Sequence, residues 1–226
     1  MVFNLEYPYE DEAFYSWMIR MYNKSTFTKS NEFLMEVLGE VCKMYHDGIG
    51  CLEELGKRQG LNIDELNQVM QQNSLLALTE PFQHPRIQGY KQRRMLGEVR
   101  GMIRLDKKPT YKVCPICYLR DMETKGEAYL RIYHQMQGVL VCAEHRVDLI
   151  EVAYDSKQLK PIYIEKLEIT KKYFQNKHYE RFAHTVATIL RNDTLNGLDS
   201  IKCYEKYKRR LKDIYQNDNL EVFKEY

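Results

Sequence analysis

The stretch CPICYLRDMETKGEAYLRIYHQMQGVLVCAEH, from Cys114 to His145, constrains this chain more than any other. It places Cys114-x-x-Cys117 and Cys142-x-x-His145 as two close pairs about two dozen residues apart. Zinc takes three thiolates and one imidazole as a tetrahedron, and each close pair can clamp two corners from one tight turn. Pro115 stiffens the first turn, and Val139-Leu140-Val141 reads as a short strand that delivers Cys142. Four ligands fill the shell and leave no corner for water, so the spacing predicts one closed, structural zinc. The competing explanation is a set of buried, inert cysteines. That suits Cys42, Cys51 and Cys203 better, because each lies in a helical pattern with no partner at ligand spacing. His134, inside the gap, competes with His145 as fourth ligand or as an acid/base beside a catalytic metal. It has no cysteine three residues away, and its neighbours Tyr133 and Met136 point to packing.

Two enzyme chemistries use similar pairs. Zinc deaminases need H-x-E ahead of P-C-x-x-C, whereas here the proline lies inside the pair and no H-x-E precedes it. Thioredoxin-type redox chemistry needs a CxxC that opens a helix after a strand in a βαβ unit, and the sequence predicts no such context. The expectation is a protein that is not an enzyme.

Outside this segment the pattern is helical. Phe14, Trp17, Met18 and Met21 recur at i, i+3, i+4 and i+7 behind a run of carboxylates. Asn31 to Tyr45 repeats the pattern, and Cys51 to Gln59 predicts a third helix closed by Gly60. Asn62 or Asp64 then caps a fourth, through Leu66, Val69 and Met70. Ile87 to Arg104 reads as a basic helix, and helical spacing returns from Tyr163 onward. The predicted fold class is mainly α, with an inserted small zinc-ribbon-like β element. Three regions follow: a helical domain over 1–109, a CCCH module over 110–156 and a helical segment over 157–226.

Charge is distributed unevenly along a chain of formal net charge +2. Met1 to Gln83 holds 6 Lys/Arg against 13 Asp/Glu, and His84 to Lys112 holds 9 against 2. The second stretch suits phosphate: Arg86, Lys91, Arg93, Arg94, Arg100, Arg104, Lys107 and Lys108 are the candidate DNA contacts, with Tyr90 available to stack. A solvated helix face is the plainer explanation for any one such run. Residues 51–70 also have the outline of a helix-turn-helix, although Asp64 and Glu65 in the second helix would repel phosphate. Lys206, Lys208, Arg209, Arg210 and Lys212 form a further basic cluster. No apolar run is long enough to span a bilayer, and the start lacks the n- and h-regions of a secretory signal. A reducing cytoplasm is the expected setting for the cysteines.

Several separate stretches together resemble the TniQ/TnsD target-selection proteins of transposons. YPYEDEAFYSWMIR is similar to the family's Pro-Tyr-x-x-Glu-x-x-Tyr-Ser-x-x-x-Arg start at Pro8, Tyr9, Glu12, Tyr15, Ser16 and Arg20. QNSLLALTEPF resembles its His-Thr-Leu-x-Pro-Leu-x-x-Pro-Phe segment, keeping Leu75, Leu78, Pro81 and Phe82 but with Asn73 for the histidine and Ala77 for the first proline. The family's zinc ligands fall on Cys114, Cys117, Cys142 and His145, and its Gly-Glu-Ala-aromatic run on Gly126, Glu127, Ala128 and Tyr129. Many members carry another Cys-x-x-Cys soon after; none follows His145 here, which is closer to the TnsD-like branch and predicts a single zinc. The chain is then either the N-terminal portion of a longer TnsD-like protein or a short member. The resemblance implies a non-catalytic adaptor in a bacterial cytoplasm, associated with the nucleoid during transposition. It would mark the insertion site on double-stranded DNA and recruit an AAA+ ATPase regulator of TnsC type. The alternative is a protein-only adaptor, with DNA read by an absent C-terminal region or by a CRISPR effector complex.

Overall fold

The computed structural model describes residues 6–39, 52–75, 110–153, 159–160, 162, 164, 167–173, 175–191, 205 and 209. Among them are seven helices of four residues or more and one two-stranded antiparallel sheet, so the fold is mainly α with a small β element beside the cysteines.

Helix α1 (Phe14–Lys24) carries the predicted apolar stripe of Phe14, Trp17, Met18 and Met21, but its burial goes further. Tyr15, Ser16, Ile19 and Arg20 are buried too, so α1 is covered around its whole circumference through Met21. The periodicity predicts one covered face. The second is covered because the chain around Leu130 lies across it: the Ala13 amide donates to Leu130 O at 2.7 Å and the Ile132 amide to Asp11 O at 2.8 Å. Segments far apart in sequence thus share one core, which runs from Ala13 through Leu130 and Val141 to Val186.

Helix α2 (Ser30–Leu38) stops at Gly39, short of the predicted Tyr45; residues 40–51 lie outside the described part. Gly39 is left-handed (φ 74°), and a Cβ there would meet Glu54 Cγ of α3 at 2.7 Å, so glycine both ends α2 and admits α3. Helix α3 (Leu52–Gln59) turns at Gly60 into α4 (Ile63–Asn73), as predicted. Asn62 is the N-cap: its side chain accepts from the Asp64 and Glu65 amides while Glu65 accepts from the Asn62 amide, a complete capping box.

Strand β1 (Thr110–Val113) pairs antiparallel with β2 (Ile150–Ala153) in the register Thr110↔Ala153 to Val113↔Ile150. Between them lie α5 (Pro115–Lys125) and the short α6 (Ile132–Gln135), and α7 (Lys177–Arg191) packs on α6. The predicted strand at 139–141 is reduced to a single bridge, Val141↔Asp148, extended by the Leu149 amide donating to Leu140 O. The turn through Cys142–Val147 takes up the residues between, leaving too little chain for a ladder. No helix of the described residues is long and apolar enough to cross a membrane.

Candidate metal centre and the junction beside it

Each cysteine pair sits on a tight turn. β1 delivers Cys114, which becomes the N-cap of α5; Pro115 occupies the first helical position, where its missing N–H costs nothing. The Cys117 amide, one of the helix's free donors, points at Cys114 Sγ at 3.5 Å. In the second turn the Cys142 amide donates to Val147 O at 2.8 Å and the Arg146 amide to Cys142 O at 3.0 Å. Arg146 adopts φ 53°, and this left-handed step folds His145 back over the cysteines.

The four predicted ligand atoms converge. They lie within 4.8 Å of one another, with Cys117 Sγ 3.8 Å from Cys142 Sγ and His145 Nδ1 3.5, 3.2 and 3.6 Å from Cys114, Cys117 and Cys142. Tetrahedral zinc with Zn–S near 2.3 Å and Zn–N near 2.05 Å requires S···S edges of about 3.8 Å and S···N edges of about 3.5 Å. The Cys117–Cys142 separation and the three to His145 Nδ1 lie within about 0.3 Å of those edges, and none approaches the roughly 2.05 Å of a disulfide. All three cysteines are buried and free, with Val147 against them. Three thiols this close without a cation cannot all ionise. Cys117 is driven up by hydrogen bonds to Cys114 and Cys142 and by burial. Cys114 accepts a hydrogen bond from Cys117 that favours its thiolate, yet Cys142 and burial outweigh it and push it up to about 12. Cys142 is lowered by hydrogen bonds from Cys114 and Cys117, with His134 adding to them. A bound cation would stabilise all three thiolates at once. The cluster has the donor set, spacing and dryness of a metal site.

One expectation needs correction. The Cys114-x-x-Cys117 pair does open a helix directly after a strand, a context that the sequence pattern does not predict. What separates it from a thioredoxin-type site is the antiparallel partner strand, where a βαβ unit needs a parallel one, and the second pair within van der Waals reach. His134 is buried on α6 with its ring against Tyr133 at 4.6 Å, outside the four-ligand group, and its Nε2 has no hydrogen-bond partner. The candidate phosphate contacts Arg86, Lys91, Arg93, Arg94, Arg100, Arg104, Lys107 and Lys108 lie outside the described residues.

A second constellation is one that sequence reasoning misses. Glu12, fully buried, accepts from Arg20 Nε at 3.1 Å, Arg20 Nη2 at 3.0 Å, Ser16 Oγ at 3.0 Å and the Tyr9 amide at 3.1 Å. Ser16 Oγ in turn accepts from the Leu130 amide at 2.9 Å, and Arg20 Nη1 reaches Glu127 Oε1 at 3.3 Å. Burial opposes the Arg20 charge, but Glu12 and Glu127 more than offset it and its pKa is raised. Asn73 closes the hub from α4: its Nδ2 donates to Tyr9 O at 2.9 Å and Glu12 O at 2.7 Å. Next to it, Arg131 makes a bidentate pair with Asp121 of α5 at 2.6 and 2.9 Å, both side chains buried. Glu144, in the second metal turn, is bound by Arg120 and by Arg191 of α7; burial works against its charge, but those arginines hold its carboxyl below the usual range. The signal is present in part, since Glu12, Ser16 and Arg20 are spaced four apart, with Ser16 and Arg20 on one face of α1 and Glu12 just ahead of its N-cap.

The described residues combine a helical body, a buried Cys3His cluster with the donor set of a metal site, and a buried ion-pair hub beside it. The family model described as TniQ matches residues 7–149, most of the chain. The chain belongs to the TniQ family, whose members are non-catalytic adaptors with a target-selection role in transposition. A comparison with curated proteins gave no match. The matched span contains the Glu12–Arg20 hub, Asn73, Arg131 and all four ligands, and leaves α7 outside.

Proposed function

We propose that this chain is a non-catalytic target-site selector that helps mark the DNA insertion site of a transposon and recruits an AAA+ ATPase regulator of TnsC type. The observation that carries this is the TniQ match over 7–149 together with the four-ligand cluster inside it. Zinc is the metal that three thiolates and one imidazole at these spacings suit best. Cys114, Cys117, Cys142 and His145 would hold it with no open position, so its chemistry is that of a brace. The chain's own residues supply the rest: Glu144 ties the second turn to α5 and α7, and Arg131, paired with Asp121 of α5 and with Asp11, links α5 to the N-terminal segment.

DNA would be contacted by the basic stretch Arg86 to Lys108. A protein-only adaptor is the second reading, favoured by the acidic entrance to α4, where Asp64 and Glu65 would repel phosphate. In that case DNA is read by a further C-terminal region or by a CRISPR effector complex. The test is co-purification with the AAA+ regulator of the same transposon, alongside duplex titration. The leading reading expects the regulator to be retained and Arg93→Ala/Arg94→Ala to weaken duplex binding and flatten its salt dependence. Retention of the regulator with no duplex binding selects the protein-only reading, and loss of both sinks the adaptor role.

A further inference from the structure

We propose that the outward face of α7 is a contact surface for the phosphate backbone of duplex DNA, separate from the 86–108 stretch. This rests on the reading that the chain works at a DNA insertion site. Lys177, Arg181, His184, Thr188 and Arg191 recur at i, i+4, i+7, i+11 and i+14, so they share one side of the helix. Orientation is settled by burial: Ala183, Val186 and Ala187 face the core, while Lys177, Arg181, His184 and Arg191 are exposed. The stripe extends about 21 Å at the usual helical rise. Duplex DNA carries a phosphate about every 3.4 Å per strand, so a rod of this length can track several in succession.

The charges on this face are balanced from within at Arg191 but not at Lys177 and Arg181. Glu180, the helix's single acid, lies on the same side, three residues after Lys177 and four before His184, and pairs with Arg146 at 3.4 Å. Among the described residues, neither Lys177 nor Arg181 forms an ion pair. At the C-terminal end Arg191 enters a groove of about 560 Å³ lined by Arg120, Lys125 and Arg131 and equally by Glu10, Asp11 and Glu144. There Arg191 pairs with Glu144 and, at 3.8 Å, with Asp11, Arg120 pairs with Glu144, and Lys125 lies over the Tyr9 and Tyr129 rings at 3.7 and 4.4 Å. The unpaired positive charge of α7 therefore sits at its N-terminal end, on Lys177 and Arg181. A linear polyanion is its electrostatic complement, and an acidic protein surface is the competing occupant.

The experiment is fluorescence anisotropy of the full metal-loaded chain with a labelled duplex of arbitrary sequence, titrated over a salt series. Lys177→Ala/Arg181→Ala is compared with Arg93→Ala/Arg94→Ala; the first pair is exposed and outside any ion pair of the described residues, and equal thermal melts verify that folding is intact. The α7 double variant should weaken binding several-fold and lower the slope of log K against log salt by about 1.8, some 0.9 for each phosphate no longer neutralised. Lys177→Glu/Arg181→Glu should lower the affinity further. A folded Lys177→Ala/Arg181→Ala protein that binds with unchanged affinity and slope overturns the α7 surface. If Arg93→Ala/Arg94→Ala still weakens binding in that case, the selector reading survives without it. Charge reversal that abolishes regulator retention while duplex binding holds also overturns the proposal and assigns the face to a protein.

Discussion

The metal cluster and the Glu12–Arg20 hub clamp the same part of the molecule by opposite means. The cluster draws its donors from two short turns, so each ligand pair is local and only the pairing of the pairs is long-range. The hub draws on Glu12 and one face of α1 plus Asn73, Glu127 and Leu130, residues more than fifty positions away. A metal organises its ligands by fixed bond lengths. A buried carboxylate instead depends on every surrounding donor being in place, because low dielectric makes any unpaired charge costly. The hub should therefore fail at single substitutions, and the cluster at loss of its ion.

Arg20→Met is the harshest test of this contrast. It strands Glu12 without its cation, and a cost of about 3–5 kcal/mol is expected in urea melts. Glu12→Gln/Arg20→Met should recover part of the loss; a double variant no better than Arg20→Met would mean that Arg20 acts through packing alone. Metal content should stay unchanged in both. Asn73→Ala is milder, since it removes two donors to backbone carbonyls and should cost about 1–3 kcal/mol. An unchanged melting temperature would take Asn73 out of the hub.

Lys112 supplies the smallest effect, and one that varies with pH. Its Nζ donates to Met136 O at 2.6 Å and Val139 O at 2.9 Å, and burial lowers its pKa to about 8. Between there and the ordinary lysine value the unfolded chain binds more protons than the folded one, so this group makes stability rise with pH. Relative to Lys112→Met, the wild type should gain on the order of 1–2 kcal/mol from pH 8 to 10. Parallel pH profiles for the two proteins would contradict the depressed value.

The two regions also differ in how far the sequence reveals them. Cys114, Cys117, Cys142 and His145 are legible because ligand chemistry restricts residue type and local spacing together. The helices at Phe14–Lys24, Leu52–Gln59 and Ile63–Asn73 are legible from periodicity, Gly60 and the Asn62 cap. The second buried face of α1 is not, because Ser16 and Arg20 are polar and are covered only when residues 127–132 cross them. Asn73 stands out in sequence as a departure from the family's histidine; its role as a double donor to the 9–12 turn requires the fold. Arg131 and Asp121 carry no signal, since a lone charged pair ten residues apart is ordinary until both are buried. The helix after Cys114 escapes sequence reasoning for a related reason: the N-cap is a cysteine whose Sγ receives the Cys117 amide, a job usually given to Ser, Thr, Asp or Asn.

The central claim is that metal serves here as scaffold. Native mass spectrometry of the purified chain, followed by chelation and near-ultraviolet circular dichroism, tests it most directly. The expected result is one zinc per chain, released with loss of the tertiary signal from Tyr129 and Tyr133, because structural metal binding is coupled to folding. A chain that is fully folded at neutral pH and carries no metal would contradict it.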